Sequence, residues 1–433
     1  MNRSVDPSVS LAADSSPSQR ELERFIQKEE ITMTETQKAL YEAVLRDHAY
    51  VVSLRRAFHQ HPELAREEFE TQAMIERELD GLGLSHRRIA ETGVLAEITG
   101  AAEAEGTPRC IVLRADIDAL PITEENGAPY KSLTPGKMHA CGHDAHNAAL
   151  IGAARVLAAN RHLFSGKVIL AWQPGEEVGF GARPIVRSGA IDEAGRSFGV
   201  HMASNLPVGS AALVPGPNNA SVDWFCIRVH GLAAHVSTPE RGVDAAYIAS
   251  QIVVAAQALI TRRTSPMDNV LIGIGKITAG TAYNIVAQEA ELEGTIRVLT
   301  PELRKATKER LEALAVQTAA LYGGTAEVEW KDFTSPLLND PTATAEAQKT
   351  AVALFGEDRV IRAREPALGG DDFAEFILRV PGVYAYIGSS NPEKPDTCVA
   401  HHNDHFDIDE DALTIAAALY ACYAADYLNG AVG

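Results

Sequence analysis

The chain has 433 residues, a formal net charge of −19 and 46% apolar residues, which is enough apolar sequence for more than one core and too much length for a single compact domain by the usual size relation. No Lys/Arg-rich block offsets the negative charge, so nucleic acid and anionic membrane surfaces are excluded as expected partners. The five cysteines, Cys110, Cys141, Cys226, Cys398 and Cys422, are odd in number, scattered and free of any CxxC pair, which predicts reduced thiols and a cytoplasmic setting rather than a disulfide framework.

Residues 1–20 are rich in Ser, Pro and Asp, and amphipathic periodicity begins only near Glu35. Residues 1–37 are therefore read as a disordered extension. Lys28-Glu29-Glu30 can be encoded by a purine-rich ribosome-binding sequence, which makes Met33 an expected alternative start. No apolar run reaches the roughly 18 to 20 residues of a membrane helix, and the N-terminus lacks a signal-peptide core.

From Lys38 to about Pro215 helix and strand alternate. Helical periodicity runs through "LYEAVLRDHAYVVSLRRAFHQ", and the strand-like runs "GVLAEITG", "RCIVLRADI", "KVILAWQP" and "SFGVHMA" are separated by helical stretches at 144–160 and 182–190. That alternation predicts an α/β fold, a mostly parallel sheet with helices on both faces. The pattern then changes to strand 223–231, a helix after Pro239 reaching Arg263, two strands, a helix from Pro301 to Tyr322 and a further strand. The order β-α-β-β-α-β is a ferredoxin-like unit. The expectation is a catalytic body in two pieces, 38–215 and 333–433, interrupted by an inserted lid over 216–332.

Chemistry-bearing residues fall at the ends of the predicted strands. Asp116 and Asp118 close "LRADIDALP" on one face by the period-2 rule, where carboxylates orient a ligand histidine, bind metal or cap a helix. Cys141 and His143 sit in "MHACGHD" just before a helix; thiolate and imidazole suit a borderline-soft divalent ion, while a buried cysteine and a capping histidine are the alternative. Glu176 and Glu177 follow an apolar strand and a Pro-Gly turn, where open α/β sheets place their ligand sites. Adjacent side chains there point apart, so one carboxylate can bind metal while its neighbour acts as general base. His201 follows "SFGV", and His401, His402 and His405 precede the C-terminal helix. His139 and His146 are expected in supporting or surface positions.

These residues resemble the M20 peptidase family, in its amidohydrolase subfamily of hippurate hydrolases, N-acyl-amino-acid amidohydrolases and auxin-conjugate hydrolases. The resemblance is carried by "LRADIDALPI", "GKMHACGHDAHNAALIGAA", "WQPGEEVGFGA", "GLAAHVSTPERGVDA" and "GTIR" and extends from Arg55 to Leu413. It implies two divalent metal ions (Mn, Zn, Co or Ni), with Cys141 as the bridging ligand and His143, Glu177, His201 and His402 completing the set. It further implies Glu176 as general base and acid, Asp118 as the aspartate that orients the centre, and His235 at the scissile carbonyl, in related enzymes sometimes from the partner subunit. Asn284 and Arg297 would hold the substrate carboxylate, and a homodimer would form through the lid. The sequence departs from the family pattern where Asp404 follows His402-Asn403, leaving His401 and His405 as alternative ligands, where no proline follows Asn284, and where Asp371 stands in place of the usual glutamate.

The expected activity is metal-dependent hydrolysis of small N-acyl amino acids. A metallo-exopeptidase acting on dipeptides, a cysteine hydrolase using Cys141 and a non-catalytic N-acyl amino acid binding protein are the alternatives.

Overall fold

A computed structural model describes residues 33–104 and 106–432; the expectations for residues 1–32 lie outside the described residues. Helix α1 (Glu35–Gln60) opens on a capping box in which the Thr34 hydroxyl accepts the Gln37 N–H and the Gln37 side chain accepts the Thr34 N–H, satisfying two orphan donors at once. That cap draws residues 35–37, expected in the extension, into the first turn of the helix. After α2 (Phe69–Gly81) come β1 (His86–Ile89), β2 (Gly93–Thr99), β3 (Cys110–Asp116), α3 (His143–Ala159), β4 (Lys167–Gln173), α4 (Ala182–Arg187), β5 (Arg196–Pro207) and the short β6 (Ala211–Ala212).

With β13 (Val360–Ile361) and β14 (Gly382–Ser390) these strands form one eight-stranded sheet in the order β1-β2-β4-β3-β5-β14-β6-β13. The central four, β4, β3, β5 and β14, are parallel. Strands β3 and β4 are buried on both faces, so their sequences read as continuous apolar runs rather than alternating ones. The sheet is mixed at its margins: β2 pairs antiparallel with both β1 and β4, and β6 antiparallel with β14. "GVLAEITG" is thus not one of the parallel strands. The loop from Thr99 to Cys110 carries no helix among the described residues, and joining two parallel strands of one sheet needs a longer crossover.

Helices α1 and α3 cover one face together with α7 (Pro341–Phe355) and α9 (Ala412–Leu428), while α4 and α8 (Ala374–Arg379) cover the other. Every residue of α9 is buried, as expected for a helix that is apolar all round. Its alanines allow close approach of α3, where a Cβ added to Gly152 would meet Val51 Cγ2 of α1 at 2.7 Å and the Ala417 Cβ at 3.7 Å.

A second, four-stranded sheet has its own core. Strands β8 (Val222–His230), β9 (Val270–Ala279), β10 (Glu289–Val298) and β11 (Thr325–Thr334) pair antiparallel in the order β11-β8-β10-β9. Against them pack α5 (Ala245–Arg263) and α6 (Pro301–Leu321). The chain enters and leaves this unit side by side, through β7 (Gly216–Asn219) paired with β12 (Leu337–Asn339). By length and composition α5, with mean hydropathy 1.2, passes the test for a membrane span that the sequence was expected to lack. Its apolar stripe, Ile248, Ala249, Ile252, Ala256 and Leu259, is used on the sheet instead.

The tightness of the α1–α3–α9 contact yields a prediction. Replacing Gly152→Val forces side chains into the space held by Val51 and should lower the unfolding free energy by about 1 to 3 kcal/mol, read as an earlier urea midpoint at unchanged slope; an unshifted midpoint would show that the helices separate without cost.

Candidate metal centre

The carboxyl ends of β3, β4 and β5 converge, as the topology of an open α/β sheet requires. Strand β3 ends at Asp116, and Asp118 lies past it rather than in it. Its carboxylate turns to the neighbouring strand end, where Oδ1 accepts the Glu176 N–H (3.1 Å) and Oδ2 the Glu177 N–H (3.0 Å). These are the first donors of the short 3₁₀ turn Glu176–Val178, so Asp118 caps the turn that carries both glutamates. Glycines at both ends of that turn, Gly175 (φ 61°) and Gly179 (φ 62°), take the left-handed conformation that reverses the chain. Glu68 supports the turn from below: Oε1 accepts the Gly175 N–H (2.9 Å) and Oε2 the Thr92 hydroxyl (2.5 Å).

Around this turn the expected ligands come together. Cys141 Sγ lies 3.5 Å from His201 Nε2, whose Nδ1 is directed at the Met202 carbonyl (2.6 Å). His143 directs Nδ1 at the Asp118 carbonyl (2.9 Å) and Nε2 toward Glu177 Oε1 (3.9 Å). His402 Nε2 is 3.3 Å from the same Glu177 oxygen. Donor atoms of Cys141, His143 and His201 lie within 4.8 Å of one another, as do those of Cys141, Glu177 and His402, so the thiol belongs to both groups. His201 sits within β5, which continues to Pro207, rather than after a strand that ends at Val200; parallel pairing with β14, Tyr386 against His201, prolongs it.

His401 is occupied otherwise. Its Nδ1 faces the Cys141 carbonyl (3.2 Å) and its Nε2 accepts the Ser204 N–H (3.5 Å), whereas the neighbouring His402, held at φ 63° with its N–H on the Ala140 carbonyl (2.8 Å), points into the cluster. His405 is exposed and lies in none of the potential ligand groups among the described residues.

The fit to a divalent ion rests on unspent donors. His143 Nε2 and Glu177 Oε1 are buried and have no hydrogen-bond partner, a costly state for polar atoms unless a ligand takes them. Thiolate, imidazole and carboxylate together are the donor set of zinc and its neighbours. Behind the cluster, fully buried Arg114 donates to Gln173 (2.8 Å), Asp116 (2.7 Å) and Asp372 (3.0 Å), and Asp116 accepts from His146 Nδ1 (2.6 Å), whose Nε2 accepts the Met202 N–H (2.8 Å). Glu176 meets Asp371 and Asp372; burial, then the Asp371 and Glu177 carboxylates, hold it well above the usual carboxylate range. Burial likewise pushes Asp372 up to about 7.

The remaining expected residues lie elsewhere. His235 and Asn284 are exposed on the four-stranded unit, next to each other through the Val236 N–H and the Asn284 carbonyl (3.2 Å), and join no cluster with the ligands among the described residues. Arg297, half-buried, reaches across to the Leu368 carbonyl (3.4 Å). Arg114, Glu68 and Asp372 have no counterpart among the residues the sequence pattern singles out, whereas Asp116 and His146, expected as an orienting or ligating carboxylate and as a supporting or surface histidine, pair with each other. The one legible signal is a charged Arg114 inside a strand that is apolar up to it and ends on Asp116. His139, expected at a supporting or surface position, is buried with neither ring nitrogen bonded, and burial pushes it down to about 3.

Carboxylates, imidazoles and a thiol gathered at the end of a parallel sheet fit a metal-dependent amidohydrolase, the class to which its relatives assign the chain. The chain belongs to peptidase family M20/M25/M40, whose model matches residues 112–426. It is 38% identical to an N-acetyl-L-cysteine deacetylase of Bacillus subtilis, over 85% of each chain, and 31% identical to an IAA-amino acid hydrolase of Arabidopsis thaliana, over 88% of this chain and 86% of that one. The crystal structure of a dinuclear metal-binding M20 peptidase from Bacillus subtilis superposes with a TM-score of 0.77 at 34% identity, covering 89% of this chain and 99% of that one.

Two outcomes follow from the turn. Asp118→Asn replaces one of two N–H acceptors by a donor and should weaken metal binding about 10- to 100-fold, measured by titration of the stripped protein; unchanged affinity would remove Asp118 from the centre's support. Burial, against the Thr92 hydroxyl, raises Glu68 from 4.5 to about 7. Between those values the folded chain keeps a proton that the unfolded chain has lost, so the stability Glu68 carries is whole below pH 4.5 and is lost as pH rises through 7. Relative to Glu68→Gln, the wild type should lose about 3 kcal/mol across that window, read by urea unfolding at several pH values; a constant difference would refute the protonated state.

Proposed function

We propose that the protein hydrolyses the amide bond of N-acyl amino acids, releasing a carboxylic acid and a free amino acid. The observation that carries this reading is a pair of buried polar atoms without a hydrogen bond, His143 Nε2 and Glu177 Oε1, beside a thiol shared with His201 and His402. Cys141, His143, Glu177, His201 and His402 would hold two divalent ions, Mn, Zn, Co or Ni, and these supply Lewis acidity and a lowered water pKa when bound. Glu176, adjacent in sequence but turned toward Asp371 and Asp372, takes the proton of the attacking water and returns it to the leaving amine. Burial, and then the carboxylates around it, favour its protonated form, which suits the second of those duties.

In this reading residues 216–332 form the lid, with His235 at the acyl oxygen and Asn284 and Arg297 on the substrate carboxylate. Exposure of His235 in a single chain is consistent with its use across a homodimer formed through that unit. The five cysteines are unpaired and all but Cys398 are buried, in keeping with a reducing, cytoplasmic setting.

The contact between Cys141 and His201 supports a second reading, a cysteine hydrolase. Removal of metal separates the two. Stripped protein should turn over no N-acetyl or N-benzoyl amino acid and regain activity with Mn, Zn, Co or Ni, whereas full activity of the stripped protein would make Cys141 the nucleophile. Glu176→Gln should retain metal and fall below about 1% of wild-type kcat; retention of a tenth would count against Glu176 as the base. His402→Ala should release more metal than His401→Ala, and the reverse order would exchange their roles.

A further inference from the structure

Arg364 lies on the loop between β13 and α8, half-buried, with its guanidinium carbon 3.7 Å from the centre of the Tyr386 ring. Tyr386 stands in register with His201, ring centres 5.8 Å apart, and its hydroxyl donates to Asn219 Oδ1 (2.6 Å). Stacking explains the position of the guanidinium but leaves its charge unmatched. Among the described residues no carboxylate pairs with it. By contrast Arg55, Arg114, Arg196 and Arg304 each meet at least one aspartate or glutamate. Arg297, likewise without a carboxylate, reaches the same loop at Leu368.

Two half-buried guanidiniums reach this one loop, Arg364 stacked on the ring that neighbours His201 and Arg297 at the Leu368 carbonyl; they call for anions from the ligand, since arginine recognises carboxylates through paired N–H donors. One of them suffices for the α-carboxylate of an N-acyl amino acid. We infer that Arg364 is a specificity-determining residue that receives a second substrate carboxylate, so that N-acyl amino acids with an additional acidic group, on the amino acid side chain or at the end of the acyl group, are preferred. This rests on the amide-hydrolase reading above.

The test compares kcat/KM of metal-loaded wild type, Arg364→Ala and Arg364→Lys on N-acetylglutamate, N-succinylalanine and N-acetylmethionine. The expected result is a selectivity ratio, diacid over N-acetylmethionine, that falls at least about tenfold in Arg364→Ala, mainly through KM, and is partly kept in Arg364→Lys. The acid that loses selectivity identifies the source of the carboxylate. A ratio within about twofold of wild type overturns the inference, and so does an equal loss on all three substrates, which would place the α-carboxylate on Arg364 instead. Should none of the three be hydrolysed, calorimetric binding of glutarate decides separately from turnover: affinity lost in Arg364→Ala upholds the anion site although the hydrolase reading has failed, and equal affinity in both proteins overturns it. Unchanged melting temperature confirms that the variants are folded.

Discussion

Uncompensated buried negative charge is the constraint around which this molecule is arranged. Asp116, Asp118, Glu176, Glu177, Asp371 and Asp372 meet at one end of the sheet, and all of them except Glu177 are buried. A single buried guanidinium, Arg114, faces several of them. Charge taken out of water is tolerated when it is paired, hydrogen-bonded or bound to metal. Arg114 and the histidines meet part of the requirement, backbone N–H groups on Asp118 meet another, and what is left over is the demand for cations. The raised proton affinities of Glu176 and Asp372 are the same demand expressed through protons.

That charge can be gathered only because the chain turns sharply at three places near the sheet's edge. Left-handed backbone at Gly142 lets α3 start with His143 already inside. Gly175 and Gly179 bracket the Glu176–Glu177 turn, where a side chain on Gly179 would strike the Phe333 backbone at 2.6 Å. His402 adopts the same conformation without being glycine, which costs about 1 kcal/mol or more and persists where surroundings insist on it. Its N–H on the Ala140 carbonyl and its ring beside Glu177 are those surroundings. Strain and ligand placement thus coincide at the residue whose position separates it from His401.

Much of this arrangement is legible in the amino-acid sequence. Strand ends can be located from apolar runs, and the placement of ligand sites at such ends is a property of open α/β sheets, so Cys141, His143, Glu176, Glu177 and His201 can be grouped although Cys141 and His201 stand 60 positions apart. What stays hidden is contact between side chains that no periodicity relates. Arg114 and Asp372 are 258 positions apart, and Glu68 and Gly175 are 107 apart; neither pairing leaves a trace in spacing. The direction of β2 is hidden for another reason. Parallel and antiparallel strands share their local sequence pattern when both faces are covered, and only the length and content of the connecting loop distinguish them.

The separation between the two sheets bears on how the proposed reaction could be controlled. The candidate ligand groups gather at the end of the eight-stranded sheet, whereas His235 and Asn284 are exposed on a unit tied to it by the paired strands β7 and β12. A group that stabilises developing charge is worth most where water is excluded, and an exposed histidine whose Nδ1 takes the Ser237 N–H (3.1 Å) is not yet in such a place. Arg297 behaves differently. It already spans from the four-stranded unit to the Leu368 carbonyl on the body, and the loop it touches leads directly into Asp371 and Asp372 beside Glu176. An anion held there would draw on both units at once, so that substrate binding and approach of the units become the same event. On the proposed reading, discrimination between substrates would be exercised by charge at this junction, whereas the metal centre would act on the amide alone.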